Sequence, residues 1–415
     1  MKSAFYRVRT QWGNGKTGLM CLIMIGWILG VLVYSHSLGN QIRYPDEKDY
    51  MDLAGHLLNT GHYTLDGTSP SAYRAPGYPA LLASLTSSGA SPFLVRIVQF
   101  ILLGLSVLLT FTITRHISRE AAIPAALFAL FYPVGIYTAG TFFPQTLATT
   151  LFLGVIYMAF CRSFSLMTSL ICGALCASLL LTVPSFLFSL GVVFVAMLFH
   201  IDRSHRKNIL ITLLSCLLLT IPWTLRNYAV SHRFIFVASN SGINLLLGNS
   251  PNTTPNAGVN VDISAYEEKT VGMNEFERDA FYTSSAVEYV KQNKLKAMSL
   301  YFRKVLNHFN YHNVLNTRSE SSNMKDLLSL LSYGLLIGLV LLRLLMHRQW
   351  AMTNFEKFVV GLYLLNGLYA AVFFTRLRFR VPYDYLLIVV AAITLRHAWA
   401  GWRESRHNRQ SAGPT

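Results

Sequence analysis

The sequence predicts an all-α integral membrane protein, a bundle of about ten transmembrane helices with juxtamembrane helices on its outer face and a small extracytoplasmic region. Of its 415 residues 53% are hydrophobic and only 13% are charged, and the apolar residues form runs of about 20. A soluble fold could not bury so many runs. The net charge of +16 suits cytoplasmic loops and anionic lipid headgroups, and no basic stripe interleaved with aromatic residues points to nucleic acid.

The predicted helices begin with an apolar run at about 17–38, which follows four basic residues and no acidic one. This run is too long for a signal-peptide core and lacks a clear small-residue cleavage site. We therefore expect a retained first helix with its N-terminus in the cytoplasm. The later predicted spans lie at roughly 92–114, 121–139, 144–160, 166–183, 184–200, 209–230, 326–346, 356–375 and 381–399.

Basic residues in the short loops set the predicted orientation. They recur in alternate loops, on the side of the N-terminus, as the positive-inside rule requires. Both termini are therefore expected in the cytoplasm, and the loop 39–90 and the polar segment 232–324 outside. The basic residues are Arg115, Arg119, Arg162, Arg203, Arg206, Lys207, Arg343, Arg348, Lys357, Arg396, Arg403, Arg406 and Arg409.

Three regions follow from this topology. Residues 1–231 form an N-terminal transmembrane module, and its first outer loop, 39–90, is expected to carry the chemistry. Residues 232–324 form an extracytoplasmic loop region, and residues 325–415 hold the C-terminal transmembrane helices and a cytoplasmic tail. The sequence shows no internal repeat of constant period, which weakens a transporter interpretation without excluding it.

The first outer loop concentrates acidic residues at the start of a predicted helix. Asp46 and Glu47 follow Pro45, and Tyr50 and Leu53 begin an apolar face with spacings of three and four. Such a helix would lie on the membrane surface with its acidic end projecting outward. Asp46 could simply cap the helix, because acidic residues there offset the helix dipole. A carboxylate beside a membrane cavity could alternatively serve as a general base.

Arginines gather at the same outer surface. Arg74 precedes a proline-rich turn, where it could snorkel to lipid headgroups or grip a phosphate with two hydrogen bonds. Arg376, Arg378 and Arg380 occupy a short outer loop, against the positive-inside rule. In an extended segment their guanidiniums would share one side and form a phosphate clamp. The alternative is an ion-pair network with Asp384 or with the acids of the first loop.

No metal is required by the sequence. All five cysteines lie in or beside apolar runs, so disulfides and zinc are not expected. His308 and His312 have helical spacing but no third ligand in sight, which favours a surface pair over a metal site. No Ser-His-Asp spacing, HExxH motif or Rossmann fingerprint stands out.

Five stretches carry a resemblance to a known family, and they lie in the family's order along most of the chain. They are Pro45-Asp-Glu-Lys-Asp-Tyr50, Arg74-Ala-Pro-Gly-Tyr-Pro79, Pro222-Trp-Thr-Leu-Arg-Asn227, Gly242-Ile-Asn-Leu-Leu-Leu-Gly-Asn-Ser-Pro251 and Arg378-Phe-Arg-Val-Pro382. The chain resembles the C-type (GT-C) glycosyltransferase superfamily, and within it the bacterial relatives of the protein O-mannosyltransferases and of the lipid A aminoarabinose transferase.

The resemblance implies a GT-C-like bundle in a bacterial inner membrane. Such enzymes move a sugar from a polyprenyl-phosphate donor to an acceptor hydroxyl on the outer face, with inversion at the anomeric carbon. It implies Asp46 as the general base and Glu47 as a second candidate. The donor phosphate is expected to contact Arg74, Arg376, Arg378 and Arg380. The candidate substrate-binding residues in the same stretches are Tyr50, Tyr73, Tyr78, Arg226 and Asn249.

The chain departs from this family at Gln145, where many relatives carry an acidic residue in a short outer turn. A neutral amide cannot act as a base or bind a cation strongly, which puts a metal at this position in doubt.

Two other functions stay open. A transporter or flippase for a lipid-linked sugar would need charged or broken helices near the bilayer midplane. A polymerase or ligase that uses lipid-diphosphate glycans would share the arginines. The acceptor could be an envelope glycan, a glycolipid or a protein.

Overall fold

The computed structural model describes residues 14–87, 89, 91–256, 258, 260–312 and 322–411. In these ranges every regular element is helical, apart from one isolated bridge between Thr64 and Pro70, which confirms the all-α prediction. The helices of the first half are α1 (Asn14–Ser37), α2 (Pro45–Thr60), α3 (Gly77–Ser87), α4 (Pro92–Ile117), α5 (Ala122–Leu130), α6 (Pro133–Ala139), α7 (Gln145–Cys161), α8 (Leu166–Thr182), α9 (Phe186–His200) and α10 (Arg206–Ser231). Those of the second half are α11 (Ser241–Gly248), α12 (Ser264–Glu267), α13 (Glu275–Gln292), α14 (Lys294–Asn307), α15 (Asn323–Leu345), α16 (Asn354–Ala370) and α17 (Leu377–Ser411).

Four helices in the described part of the chain are long and apolar enough to cross a membrane. They are α4, α10 with the turn before it (Arg203–Ser231), α15, and the Leu377–Ser405 portion of α17. Four predicted spans fall on these helices. Five others fall on α1, α7, α8, α9 and α16, which are helical but mostly shorter. The apolar runs therefore predict helices correctly, while fewer of them than expected reach full spanning length.

The predicted span at 121–139 is broken. α5 ends at Leu130, α6 begins at Pro133, and the two helices meet at 52°. Proline lacks a backbone N–H and restricts the residue before it, and Tyr132 is extended with φ −71° and ψ 109°. The helix consequently stops and restarts in a new direction.

α17 runs through the centre of the bundle. Each residue from Tyr385 to Ala391 is at most 1% exposed, and the helix packs against α4, α5, α7, α15 and α16. A helix that is apolar on all sides is stable only when neighbours cover all sides. The packing of this segment fixes the position of the N-terminal end of α17, which carries Arg378.

The predicted outer regions pack on each other. Glu275, the first residue of α13, accepts hydrogen bonds from Ser71 Oγ (2.6 Å) and the Ala72 N–H (2.9 Å) of the first loop. It also accepts one from Ser239, just before α11. One turn later, Asp279 accepts a hydrogen bond from the first turn of α11. The loop 39–90 and the segment 232–312 therefore form a continuous surface over one end of the bundle.

Candidate functional site

A cavity of about 560 Å³ lies where this outer surface meets the ends of α7, α9, α16 and α17. Its charged lining residues are Asp46, Arg74, Asp262, Glu267 and Arg378. Much of the remaining lining is apolar or aromatic, and includes Phe186, Leu247, Tyr369, Phe373, Phe374 and Tyr383. The cavity thus offers both a charged region and an apolar region to a ligand.

α2 places Asp46 at this cavity. Pro45 is the first residue of the helix, and Tyr50, Leu53 and Ala54 form its buried face. The predicted helix is confirmed, and its apolar face is buried at these residues, whereas Leu58 near its end is 43% exposed. Asp46 is not the N-cap, because Tyr44 precedes the helix, but it does lie in the first turn, where an acidic residue offsets the helix dipole.

The carboxylate of Asp46 is shared by two guanidinium groups. Its Oδ1 lies 2.7 Å from Arg74 Nη2, and its Oδ2 lies 2.6 Å from Arg378 Nη2. Arg74 also contacts Asp49 Oδ2 through Nη2 (2.7 Å) and Nε (3.2 Å). All three side chains of the central group stay partly exposed, with 18% for Asp46, 14% for Arg74 and 26% for Arg378. Acid and arginine from distant parts of the chain therefore meet at one accessible point.

The charges of this group set its protonation. Burial alone would raise the pKa of Asp46, but Arg378 and Arg74 outweigh it and lower the pKa to about 2. Burial raises the pKa of Asp49 despite the opposing charge of Arg74. Burial would also lower the pKa of Arg74, yet neighbouring tyrosines and Asp46 raise it above its ordinary value. Asp46 is therefore ionised near neutral pH in the ligand-free site.

Glu47 has a different position from Asp46 and is not among the residues that line the cavity. Its side chain is 2% exposed. Oε2 accepts hydrogen bonds from the Arg43 N–H (2.7 Å) and the Tyr44 N–H (3.2 Å), and Oε1 accepts one from the Phe142 N–H (2.9 Å). The carboxylate joins the start of α2 to the turn before α7.

The side chains of the three arginines in 376–380 contact different parts of the protein, so the prediction of an extended clamp is wrong. α17 already begins at Leu377, and residues two apart on a helix lie on different faces. Arg378 reaches Asp46 and lies 4.2 Å from the ring centroid of Phe143. Arg376 donates to Asn260 Oδ1 (2.9 Å) and is not among the cavity-lining residues.

Arg380 is buried in the bundle, with 1% exposure. Its Nε lies 3.3 Å from Asp384 Oδ2, and its Nη1 donates to the carbonyl oxygen of His308 (3.0 Å). Its guanidinium lies 3.4 Å from the ring centroid of Tyr333. The alternative prediction, an ion-pair network, therefore describes two of the three arginines. Arg380 pairs with Asp384, and Arg378 pairs with Asp46 of the first loop.

Two of the predicted substrate-binding tyrosines line the cavity. Arg74 lies 5.2 Å from the ring centroid of Tyr50 and 4.8 Å from that of Tyr73. Tyr78 is fully buried, packs edge-on against Tyr50 and donates a long hydrogen bond to Gln99 (3.3 Å). It supports the cavity wall from behind.

Arg226 and Asn249 support backbone outside the cavity lining. Arg226 donates to the carbonyl oxygens of Ser71 (2.5 Å) and Tyr63 (3.1 Å) and so fixes the first loop. Asn249 donates to the carbonyl oxygen of Val372 (2.9 Å) after α16. Both residues hold the segments that shape the cavity.

Sequence reasoning missed two residues near this site. Lys304 is 1% exposed and donates to the carbonyl oxygens of Gly248 (2.9 Å) and Phe373 (2.8 Å), and burial lowers its pKa to about 8. Asn366 is 6% exposed and lines the cavity from the last turns of α16. A lone asparagine inside the apolar run 356–375 was the available signal, because polar residues in such runs usually serve a function.

Metal ligands do not cluster here. The described residues contain no group of three His, Cys, Asp or Glu side chains that could hold a metal ion. The predicted surface pair of histidines is wrong, because α14 ends at Asn307 and His308 is only 4% exposed. Burial and the nearby Arg380 charge lower the pKa of His308 to about 3.

Comparison with known proteins gives a structural similarity only. No family model and no curated protein matches the chain. The chain is similar to the crystal structure of ArnT from Cupriavidus metallidurans in the apo state, with 14% identity, a TM-score of 0.45, and coverage of 92% of this chain and 77% of that one. It is also similar to the structure of the same protein bound to undecaprenyl phosphate, with 11% identity, a TM-score of 0.46, and coverage of 89% and 77%.

Proposed function

We propose that the protein is a membrane glycosyltransferase of the GT-C type. It would transfer a sugar from a polyprenyl-phosphate donor to an acceptor hydroxyl on the outer face of the bacterial inner membrane. The observation that carries this proposal is the convergence of Asp46, Arg74 and Arg378 at one accessible cavity. A carboxylate and two guanidiniums supply the groups that base-assisted transfer from a phosphate requires.

The arginines bind the donor phosphate in this mechanism. Arginine matches the oxygens of a phosphate with paired N–H groups, and Arg378 Nε has no hydrogen-bond partner among the described residues. The phosphate gains negative charge as it leaves, so fixed positive groups stabilise the transition state more than the ground state. The apolar lining residues would contact the first isoprene units of the lipid.

Asp46 acts as the base. The acceptor oxygen attacks the anomeric carbon from the face opposite the phosphate, the bond from that carbon to the phosphate oxygen breaks with its electron pair, and the acceptor proton passes to Asp46. The anomeric configuration is inverted. A carboxylate with a pKa of about 2 is a weak base. The negative charge of a bound phosphate would offset the positive charge of the two arginines that lower this pKa. Asp46 therefore becomes more basic when the donor is in place.

The test is transfer by the purified protein, in lipid nanodiscs, from radiolabelled polyprenyl monophosphate sugars to a crude envelope extract. We expect labelled product with the wild type and a loss of at least about a hundredfold with Asp46→Asn. Asp52→Asn, on the same helix, is the matched control and should keep its activity. Full activity in Asp46→Asn would refute the assigned base.

Two further assays, one with diphosphate-linked glycans as donors and one with the protein in sealed vesicles, could replace the proposal with another function. Product formed only from diphosphate-linked glycans would indicate a polymerase or ligase. Binding of the lipid-linked sugar without transfer from any donor, together with its movement across a vesicle membrane, would indicate a transporter.

A further inference from the structure

Two buried amides in the cavity have unused hydrogen-bonding atoms. Gln145 begins α7 and is 8% exposed, and its Oε1 has no hydrogen-bond partner among the described residues. Asn366 lies on α16 and is 6% exposed, and its Nδ2 likewise has none within the described chain. Both residues are among those that line the cavity that holds Asp46. A buried polar atom without a partner costs free energy, which a ligand recovers by bonding to it.

The surroundings of each amide indicate where a ligand would lie. Gln145 is two residues after Phe143, whose ring is packed against Arg378, and Gln145 and Arg378 both line the cavity. Asn366 precedes Tyr369 by one helical turn, and both face the cavity. The amides thus come from two separate elements and are not paired with each other.

The chemistry of the two amides selects an uncharged ligand. Each amide presents both a donor and an acceptor and carries no charge, whereas the phosphate has Arg74 and Arg378. A hydroxyl group both donates and accepts, so it satisfies such an amide in either orientation. The aromatic rings nearby suit the apolar face of a sugar ring. We propose that Gln145 and Asn366 bind the hydroxyl groups of a neutral sugar carried by the donor, an inference that rests on the proposed function.

Leucine substitutions separate a binding role from a structural one. Gln145→Leu and Asn366→Leu remove buried polar atoms that lack partners, so the melting temperature should stay unchanged or rise. The dissociation constant for a polyprenyl phosphate carrying a neutral hexose should increase about five- to tenfold in each variant. Binding of the same polyprenyl phosphate without a sugar should stay at the wild-type value.

The outcomes are distinguishable from failure of the proposed function. If the wild type binds neither lipid, the glycosyltransferase proposal itself is refuted. If both lipids bind but the leucine variants bind the sugar-linked lipid as the wild type does, only the role of the amides is refuted. An equal loss for both lipids, or a lower melting temperature with that loss, would assign the amides to the framework instead.

Gln145→Glu adds a second test with almost unchanged shape. A carboxylate at position 145 of the cavity should disfavour a neutral sugar and favour one that carries an amine, because the amine pairs with the new charge. Competition between a hexose-linked and an amino-sugar-linked polyprenyl phosphate should therefore shift toward the amino sugar by at least about fivefold. An unchanged preference would contradict direct contact between Gln145 and the sugar.

Discussion

Asp46 is held by arginines from both ends of the chain, since Arg74 lies 28 positions away and Arg378 lies 332 positions away. At the scale of single residues this sharing has two effects. It keeps the carboxylate ionised before the donor binds, and it fixes each arginine against a different oxygen of the carboxylate. A donor phosphate that enters the cavity would find guanidiniums already oriented, which lowers the entropy cost of binding.

Arg378 should affect both donor affinity and the protonation of Asp46. In Arg378→Gln we expect donor affinity to fall about ten- to a hundredfold, because a charge-assisted contact to phosphate is lost. The pKa of Asp46 should rise from about 2, since its largest stabilising charge is gone while burial remains. The acid limb of the profile of kcat/KM against pH should therefore move to higher pH.

The neighbouring arginine gives the matched control for this variant. Arg376→Gln removes the same charge from a side chain that contacts Asn260 and is not among the cavity-lining residues. Its donor affinity and its pH profile should equal those of the wild type. Equal losses in the two variants would show that the general positive charge of this segment, and not contact with Asp46, is what matters.

Glu47 should matter for folding and not for chemistry. In Glu47→Gln the side chain keeps one acceptor oxygen but loses the charge-assisted bonds to three backbone N–H groups. We expect a loss of about 1–3 kcal/mol in the free energy of unfolding, seen as a lower melting temperature in detergent. The activity of the folded fraction should stay within about twofold of the wild type. A normal melting temperature with no activity would reinstate Glu47 as a catalytic candidate.

The sequence reveals the position of some site residues and not of others. Asp46 and Arg74 could be predicted together because their stretches belong to one loop between two apolar runs. Glu47 was a candidate base only because it adjoins Asp46, and its acceptor role depends on the Phe142 N–H, 95 positions away. Arg380 was placed with Arg378 because an extended segment alternates sides. The helix that begins at Leu377 turns it into the bundle, toward Asp384.

At the scale of elements, α14 carries an exposed apolar stripe. Leu295, Met298, Phe302 and Leu306 recur at spacings of three and four and are 78%, 54%, 58% and 72% exposed. The opposite face of the helix carries the buried Lys304. Basic residues flank the stripe, as on helices that lie in the headgroup region of a membrane. An exposed apolar stripe of this kind marks a surface that a membrane or another protein covers, and the flanking basic residues favour the membrane.

We expect α14 to contact the bilayer interface. A nitrobenzoxadiazole label on Leu295→Cys or Leu306→Cys, in nanodiscs, should show blue-shifted emission and quenching by lipids with bromine at shallow acyl positions. The same label on Ser284→Cys, an exposed position of α13, should report water. Water-like emission at both α14 positions would show that the stripe is covered by something other than lipid.

Hydrophobic periodicity predicted where helices occur but not how each one ends. The run at 121–139 reads as one span, and Pro133 divides it because a helix needs the N–H that proline lacks. The proline at 382, by contrast, is tolerated inside α17. Pro222 is likewise tolerated, in the middle of α10. Sequence alone does not separate these two prolines from Pro133, because the packing of neighbouring helices compensates for the missing N–H at some positions and not at others.

At the scale of the whole molecule, the cavity exists only when the outer surface closes over the bundle. The Ser239 N–H donates to the Ala72 carbonyl oxygen (2.8 Å), and Glu275 accepts hydrogen bonds from both of the segments that this contact joins. Arg226 adds hydrogen bonds to the first loop from α10. The sequence predicts the order of the regions, but the contacts of Glu275 and Arg226 with Ser71 join positions more than 150 apart, and no local pattern encodes them.

Glu275 should therefore couple the outer region to the site. In Glu275→Ala, Ser71, Ala72 and Ser239 lose a common acceptor, and we expect the free energy of unfolding to fall by about 2 kcal/mol. Amide hydrogen exchange should quicken at residues 71–75 and 238–244, while the centre of α17 stays protected. Donor affinity should fall with it, because Arg74 lies in the loosened loop.

A second glutamate on the same helix supplies the comparison. Glu288 is exposed and accepts a hydrogen bond from Gln292 on its own helix, so Glu288→Ala should leave exchange and donor affinity unchanged. If Glu275→Ala quickened exchange at 71–75 but left donor affinity intact, the position of Arg74 would depend on Asp46 and Asp49 alone. The outer region would then be a cover for the cavity and not part of the phosphate site. Only a joint loss of protection and affinity supports a site that the two regions build together.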